Sequence, residues 1–214
     1  MHRFCHYPLI FLLISCFSGI AQQQQLIPLK EAELIRQKVE EAAKHTLTIQ
    51  SEFIQTKEMS VLAEKIVSQG KFYFKKEKKL RWEYTSPFPY RIILNNDRML
   101  VKDDNAENAV NIQSNKVYRE INGVILGAIQ GTLLSDRKKF QAAFSDARTC
   151  YAVKLTPQSP KLKESISEIV LYFNKTDYTV DRLVMREVSG DYTRIEFKEK
   201  KINQPIADEN FFIP

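Results

Sequence analysis

Between residues 47 and 101 several runs alternate apolar and polar side chains with a period of two, and no other feature constrains the fold as strongly. Leu47, Ile49 and Phe53 alternate with Thr48, Gln50 and Glu52. Phe72 and Phe74 alternate with Lys71, Tyr73 and Lys75, and Leu80, Trp82 and Tyr84 with Arg81, Glu83 and Thr85. Successive side chains of a strand point to opposite faces, so each run reads as a strand with one face to bury. Residues 90–94 continue the pattern, the turn signal Asn95-Asn96-Asp97 follows, and residues 99–101 resume it. Further strand-like runs lie at 140–144, 151–155, 166–173, 180–188 and 193–200, with short turns at 174–177 and 189–191.

Two segments break this period. Residues 29–44 place Ala32, Ile35, Val39 and Ala42/Ala43 on one face, and residues 117–130 do the same with Val117, Ile121, Val124/Ile125 and Ala128/Ile129. Both spacings are helical. Gly123, Gly127 and Gly131 lower helix propensity in the second segment, which suits an element that must shift or pack closely. No Pro-, Gly- or Ser-rich linker divides the chain. The expected fold is α+β: an antiparallel sheet of about ten or eleven strands, curled by its own length, with two or three helices.

Strands of this pattern bury one face. That face carries Phe53, Phe72, Phe74, Leu80, Trp82, Tyr84, Ile92 and Leu94. Two helices are few for so wide a sheet, so one reading is a lipid-sized cavity walled by these residues and capped by Ile121 and Ile125 of the second helix. The other is a packed helix-on-sheet core built from the same side chains.

The first 21 residues have the three-part plan of a secretory signal peptide. Arg3 precedes an apolar stretch from Leu9 to Ile20, and Gly19-Ile20-Ala21 supplies small residues before Gln22. The stretch is short for an anchoring helix and is interrupted by Ser15, Ser18 and Gly19. Cleavage after Ala21 leaves residues 22–214 as a single exported domain. The segment Leu13-Ile14-Ser15-Cys16 allows a different outcome, a lipidated Cys16.

Loss of residues 1–21 removes one Arg and no acid from a chain of net charge +6, and leaves one Cys (Cys150) and one His (His45). A lone Cys makes no internal disulfide, and this inventory supports neither a metal cluster nor a Ser-His-Asp triad. No GxSxG, HExxH, P-loop or GxGxxG occurs, so no catalytic residue, metal ligand or cofactor is assigned and the chain does not read as an enzyme. The basic clusters Lys75-Lys76-Glu77-Lys78-Lys79 and Lys198-Glu199-Lys200-Lys201 fit an exported protein poorly as nucleic-acid contacts. They read either as weak attraction to an anionic membrane or acidic partner, or as solvated hairpin ends.

The segment Gly70-Lys71-Phe72-Tyr73-Phe74-Lys75-Lys76, with Leu80-Arg81-Trp82-Glu83-Tyr84 and Pro87, is similar to the G-x-[FL]-x-[FV]…RWxY…P region of the LolA family of lipoprotein carriers. Phe53-Ile54-Gln55 resembles that family's FxQ signature, and residues 205–214 resemble its closing strand. The resemblance implies an incomplete antiparallel barrel with a helical lid over an apolar cavity. It implies a monomeric, non-catalytic periplasmic shuttle that carries lipoprotein acyl chains from the inner to the outer membrane without a cofactor. Its partners would be an inner-membrane ATP-driven lipoprotein-releasing transporter and an outer-membrane acceptor, and no nucleic acid. The family segment reads Lys-Arg-Pro where this chain has Lys75-Lys76-Glu77, so Lys76 stands at the position of the Arg that closes the family's lid. A Lys is a point charge where an Arg is a planar fork. That departure leaves room for a paralogue carrying another lipid or polyene ester, or for a membrane-anchored acceptor or sensor of the same fold. Alternation places Lys76 on the face of Phe72 and Phe74, facing lid carbonyls; if the strand ends before it, the residue is solvated in the turn instead.

Overall fold

The alternating runs form strands that pair only with antiparallel neighbours. The structure, a computed structural model, describes residues 27–28, 31–62, 64–76, 78–96, 98–103, 107–111 and 116–214, with the backbone alone at 27–28, 103, 107–111 and 116–122. The leader, with Cys16 and Ala21, lies outside the described residues.

In chain order the elements are β1 (Ile27–Pro28), α1 (Ala32–His45), β2 (Thr48–Glu58), β3 (Lys65–Lys75), β4 (Lys79–Ser86), β5 (Tyr90–Asn95), β6 (Arg98–Asp103) and β7 (Glu107–Asn111). There follow α2 (Lys116–Ile129), α3 (Thr132–Ser135), β8 (Phe140–Asp146), β9 (Cys150–Pro157), α4 (Pro160–Lys163), β10 (Ile166–Asn174), β11 (Val180–Glu187), β12 (Tyr192–Ile202) and a 3₁₀ turn at Asp208–Phe211. The strands form one sheet in the order β1-β8-β9-β10-β11-β12-β2-β3-β4-β5-β6-β7. The sheet curves into an incomplete barrel with β1 and β7 as its edges. Twelve strands exceed the ten or eleven expected because β1 has two residues and β7 five, too short for alternation to reveal. The pairing of β12 with β2 joins the two halves of the chain and, like that of β1 with β8, is a long-range choice in the topology.

The inner face of the sheet receives α1, α2 and α3. Ile35 and Val39 of α1, Val124, Ile125 and Ala128 of α2, and Leu133 and Leu134 of α3 bury among the inward side chains of both halves. Gly131 joins α2 to α3 with φ +69°, a left-handed conformation that Gly adopts without strain. A Cβ there would touch Ala43 and Glu40, so α1 crosses close to this turn.

The C-terminus departs from the expectation. Residues 205–214 form no closing strand: β12 ends at Ile202, and the tail crosses the outer face of the sheet. Pro205 has no backbone donor for a ladder. The tail's apolar residues Ile206, Phe211 and Ile213 bury instead against Ile93, Leu100 and Tyr73. Asp208 accepts from Lys75 Nζ at 2.8 Å and Lys79 Nζ at 3.1 Å, and Asn95 Nδ2 donates to the Phe211 carbonyl at 3.1 Å.

The hydrogen bonds from Lys75 and then Lys79 hold the Asp208 carboxyl below its usual range. A carboxyl depressed by folding stabilises the folded tail above its unfolded value, near pH ~4, and loses that contribution as pH falls through the folded value. The methyl resonances of Ile206 and Ile213 should therefore shift toward free-chain positions below pH ~4. In Asp208→Asn that acid step should be absent and the tail already loosened at neutral pH.

Candidate functional site

Cross-strand pairing stacks the aromatic residues of the inner face into one cluster. Phe197 on β12 lies opposite Phe53 on β2, Phe53 opposite Gly70 on β3, and Gly70 opposite Tyr84 on β4. Phe72 pairs with Trp82, Trp82 with Ile92, and Tyr84 with Tyr90. Gly70 has no side chain, and the rings on either side of it close over the gap. Phe53 meets Tyr84 edge-on at 5.0 Å and Trp82 at 4.8 Å between centroids. Phe72 meets Trp82 at 5.0 Å and Phe197 at 5.3 Å, and Tyr84 stacks on Tyr90 at 4.2 Å. Such offset and edge arrangements add about 0.5–1.5 kcal/mol per pair beyond area burial.

The cluster does not fill the inner face. A cavity of about 210 Å³ lies between β2, β4, β5, β11, β12 and helix α2. Trp82, Tyr84, Tyr90, Ile92, Leu183 and Ile195 supply its walls, and Val124 and Ile125 its helical cover. Gln55, Lys57, Glu187 and Thr193 add polar atoms. Burial, then the neighbouring Tyr90, pushes the Tyr84 hydroxyl far above its ordinary range, so it stays protonated and donates to Gln55 Oε1 at 3.0 Å. The cavity is smaller than the roughly 300–1,000 Å³ of ordinary ligand pockets. Between α1, α2 and β12 the remaining space shrinks to about 20 Å³, room for about one water.

The residues expected to line a cavity divide accordingly. Trp82, Tyr84, Ile92 and Ile125 line it. Phe53, Phe72, Phe74, Leu80 and Leu94 are buried in the same core without reaching it, although Phe72 borders the small void. Ile121 belongs to α2, and its side chain lies outside the described residues. The cavity and the packed core, opposed in the sequence reading, coexist on one face.

Lys76 sits just past the end of β3 and is exposed in the β3–β4 turn. Its Nζ nevertheless donates to the Lys44 carbonyl at the end of α1, 2.8 Å away, and its own amide donates to Leu47 O at 2.8 Å. The last carbonyls of a helix have no intrahelical partner and attract cations. Asn203 completes this closure, donating from Nδ2 to the His45 carbonyl at 3.0 Å and accepting from the Leu47 amide at 2.7 Å.

Leu183, Met185, Ile195 and Phe197 were not singled out from the sequence. Each lies at an inward position of an alternating run, so period two marks them as buried; only the β12–β2 pairing brings them to the cavity and cluster. Lys200 corrects the view of residues 198–201 as a solvated or membrane-facing cluster. A bulge between Lys198 and Lys201 turns Lys200 under the helices, where its side chain is 10% exposed and ion-paired with Asp181. Among the described residues no group of three or more His, Cys, Asp or Glu is placed to hold a metal ion, and no helix is long and apolar enough to cross a membrane.

Fold and site together define a class: an unclosed antiparallel barrel with helices over an aromatic-walled cavity. The chain belongs to the family described as outer membrane lipoprotein carrier protein LolA, whose model matches residues 44–214. Among solved structures it is similar to MucB, with 11% identity, 86% of this chain and 62% of MucB covered, and a TM-score of 0.52. The Pseudomonas aeruginosa MucA/MucB complex gives 12% identity, coverage of 84% and 60%, and a TM-score of 0.51. A LolA superfamily protein from Nitrosomonas europaea gives 11% identity, coverage of 85% and 97%, and a TM-score of 0.49. At identities this low the two MucB structures establish a shared fold alone. No curated protein matches the chain.

A Cβ on Gly70 would run into the Glu83 carbonyl oxygen and lie 2.9 Å from Tyr84 Cα. Both obstacles are backbone and cannot rotate aside. Gly70→Ala should lose at least about 2 kcal/mol in denaturant unfolding and change the near-ultraviolet circular dichroism of the aromatic cluster.

Proposed function

We propose that the protein is a periplasmic carrier that binds the acyl chains of lipoproteins between sheet and helices and shuttles them from the inner to the outer membrane. The observation that carries this reading is the cavity walled by Trp82, Tyr84, Ile92 and Leu183 and covered by α2 through Val124 and Ile125. Membership in a family of lipoprotein carriers supports it. Each acyl methylene removed from water contributes about 0.8 kcal/mol, so a lipoprotein needs such a shelter to cross an aqueous compartment. Residues 1–21 serve as the cleaved signal peptide and residues 22–214 as one soluble lipid-binding domain. An ATP-driven transporter in the inner membrane loads the carrier and an outer-membrane acceptor unloads it. The chain performs no chemistry and needs no cofactor.

A cavity of about 210 Å³ is the closed state in this scheme, and loading moves the helices outward. Phe53, Phe72, Phe74, Leu80, Leu94 and Ile121 then join the four lining residues as acyl contacts. Lys76 is the gate: its bond to the Lys44 carbonyl holds the end of α1 against the sheet.

Purified protein titrated with a triacylated lipopeptide should shift Trp82 emission and saturate near one ligand per chain. Native mass spectrometry should find acyl lipid bound after purification. An emission that ignores every acyl ligand, with no co-purified lipid, would falsify the carrier reading.

Lys76→Leu removes one exposed hydrogen bond, so its stability should change by about 1 kcal/mol or less. Release of bound lipopeptide to acceptor vesicles should be about fivefold faster, the factor such an energy represents. Unchanged release in stopped-flow transfer would remove Lys76 from the gate.

A further inference from the structure

One residue of the cavity wall carries a buried donor that nothing accepts from. Trp82 is 3% exposed and lines the cavity, and its Nε1 has no hydrogen-bond partner. An indole N–H donates and cannot accept, and a buried polar group without a partner is rare in a folded protein. The Tyr84 oxygen feels this N–H, but the two lack hydrogen-bond geometry, and the Tyr84 hydroxyl points its proton at Gln55. The Gln55 oxygen is thereby engaged by the Tyr84 hydroxyl, and the same side chain carries two N–H donors. The Thr193 hydroxyl and Lys57 add further donors around the same space.

Donors set among Ile92, Ile125, Leu183 and Ile195 call for a ligand that carries an acceptor without a proton, flanked by hydrocarbon. Resting on the carrier reading, we propose that Trp82 Nε1 donates to the carbonyl oxygen of an ester- or amide-linked acyl chain, so that the cavity recognises the acyl linkage as well as its hydrocarbon. A neutral carbonyl meets this requirement. A free carboxylate would bring a charge against apolar walls, which is costly, and Lys57 and Glu187 at the same cavity act on it in opposite senses.

The chain holds a single tryptophan, so the ¹⁵N-labelled protein gives one indole ¹H–¹⁵N resonance and the donor is observed directly without mutation. Methyl palmitate and methyl hexadecyl ether, matched in length and differing in the carbonyl, are the probes, with palmitate as a third. The ester should move the indole proton downfield to saturation and bind about fivefold more tightly than the ether. The ether should bind without that shift. Trp82→Phe, which keeps an aromatic ring and removes the N–H, should bind ester and ether alike at the ether's affinity. Equal affinities and equal indole shifts for ester and ether in the wild-type protein overturn the inference while leaving the carrier intact. So does a preference that survives in Trp82→Phe, or palmitate binding more tightly than its ester. If none of the three binds, the carrier reading fails as well.

Discussion

A curled antiparallel sheet of twelve strands presents more inner face than three short helices can cover, and the rest of the structure follows from this shortage. Large aromatic side chains answer part of it. Phe53, Phe72, Trp82, Tyr84 and Phe197 reach across the sheet and touch one another where aliphatic residues would leave voids. Gly70 contributes by absence, because a Cβ there would strike the backbone of Glu83 and Tyr84 on the neighbouring strand. Toward β11 and the helix α2 the rings run out, and the unfilled space is the cavity. Core and cavity are thus two ends of one surface, and Trp82 and Tyr84 belong to both.

The helices over this surface are held by a few polar ties. The end of α1 hangs on Lys76 and Asn203, which take up carbonyls that a helix terminus leaves without partners. Glu40 of α1 accepts from Ser135 at the end of α3 and from Arg36 in its own helix. Beneath the helices Lys200 is ion-paired with Asp181. These ties supplement the apolar packing of Ile35, Val39, Val124, Ile125 and Leu134 against the sheet, with a cavity left under part of the cover. On the outer face the tail buries Ile206, Phe211 and Ile213 and is clamped by Lys75 and Lys79. Both faces of the sheet thus combine buried apolar packing with a few polar ties.

Local pattern was enough to recognise the strands, the helices α1 and α2, and the inward set from Phe53 to Leu94, because side-chain direction follows from the period of the element itself. The same logic placed Trp82, Tyr84 and Ile92 on one face before any pairing was known. It also allowed two fates for Lys76, and the chain takes part of each: the strand stops at Lys75, yet the ammonium still finds a helix carbonyl. Alternation cannot say where a strand ends, and a long flexible side chain spans the error of one residue.

What only the tertiary structure decided depends on which strands become neighbours. The β12–β2 pairing brings Leu183, Ile195 and Phe197 beside residues more than a hundred positions earlier, and no local signal encodes that choice. A bulge rotates Lys200 from the surface to the underside of the helices, since one extra residue reverses the facing of those beyond it. The tail resembled a strand, but Pro205 and an uncovered apolar patch at Ile93 and Leu100 turned it into a brace. The sequence alone determined a one-faced sheet rich in aromatic residues and short of helix. Whether that shortage became a void, and which side chains wall it, was decided by packing, because a cavity belongs to the space between elements and to no one of them.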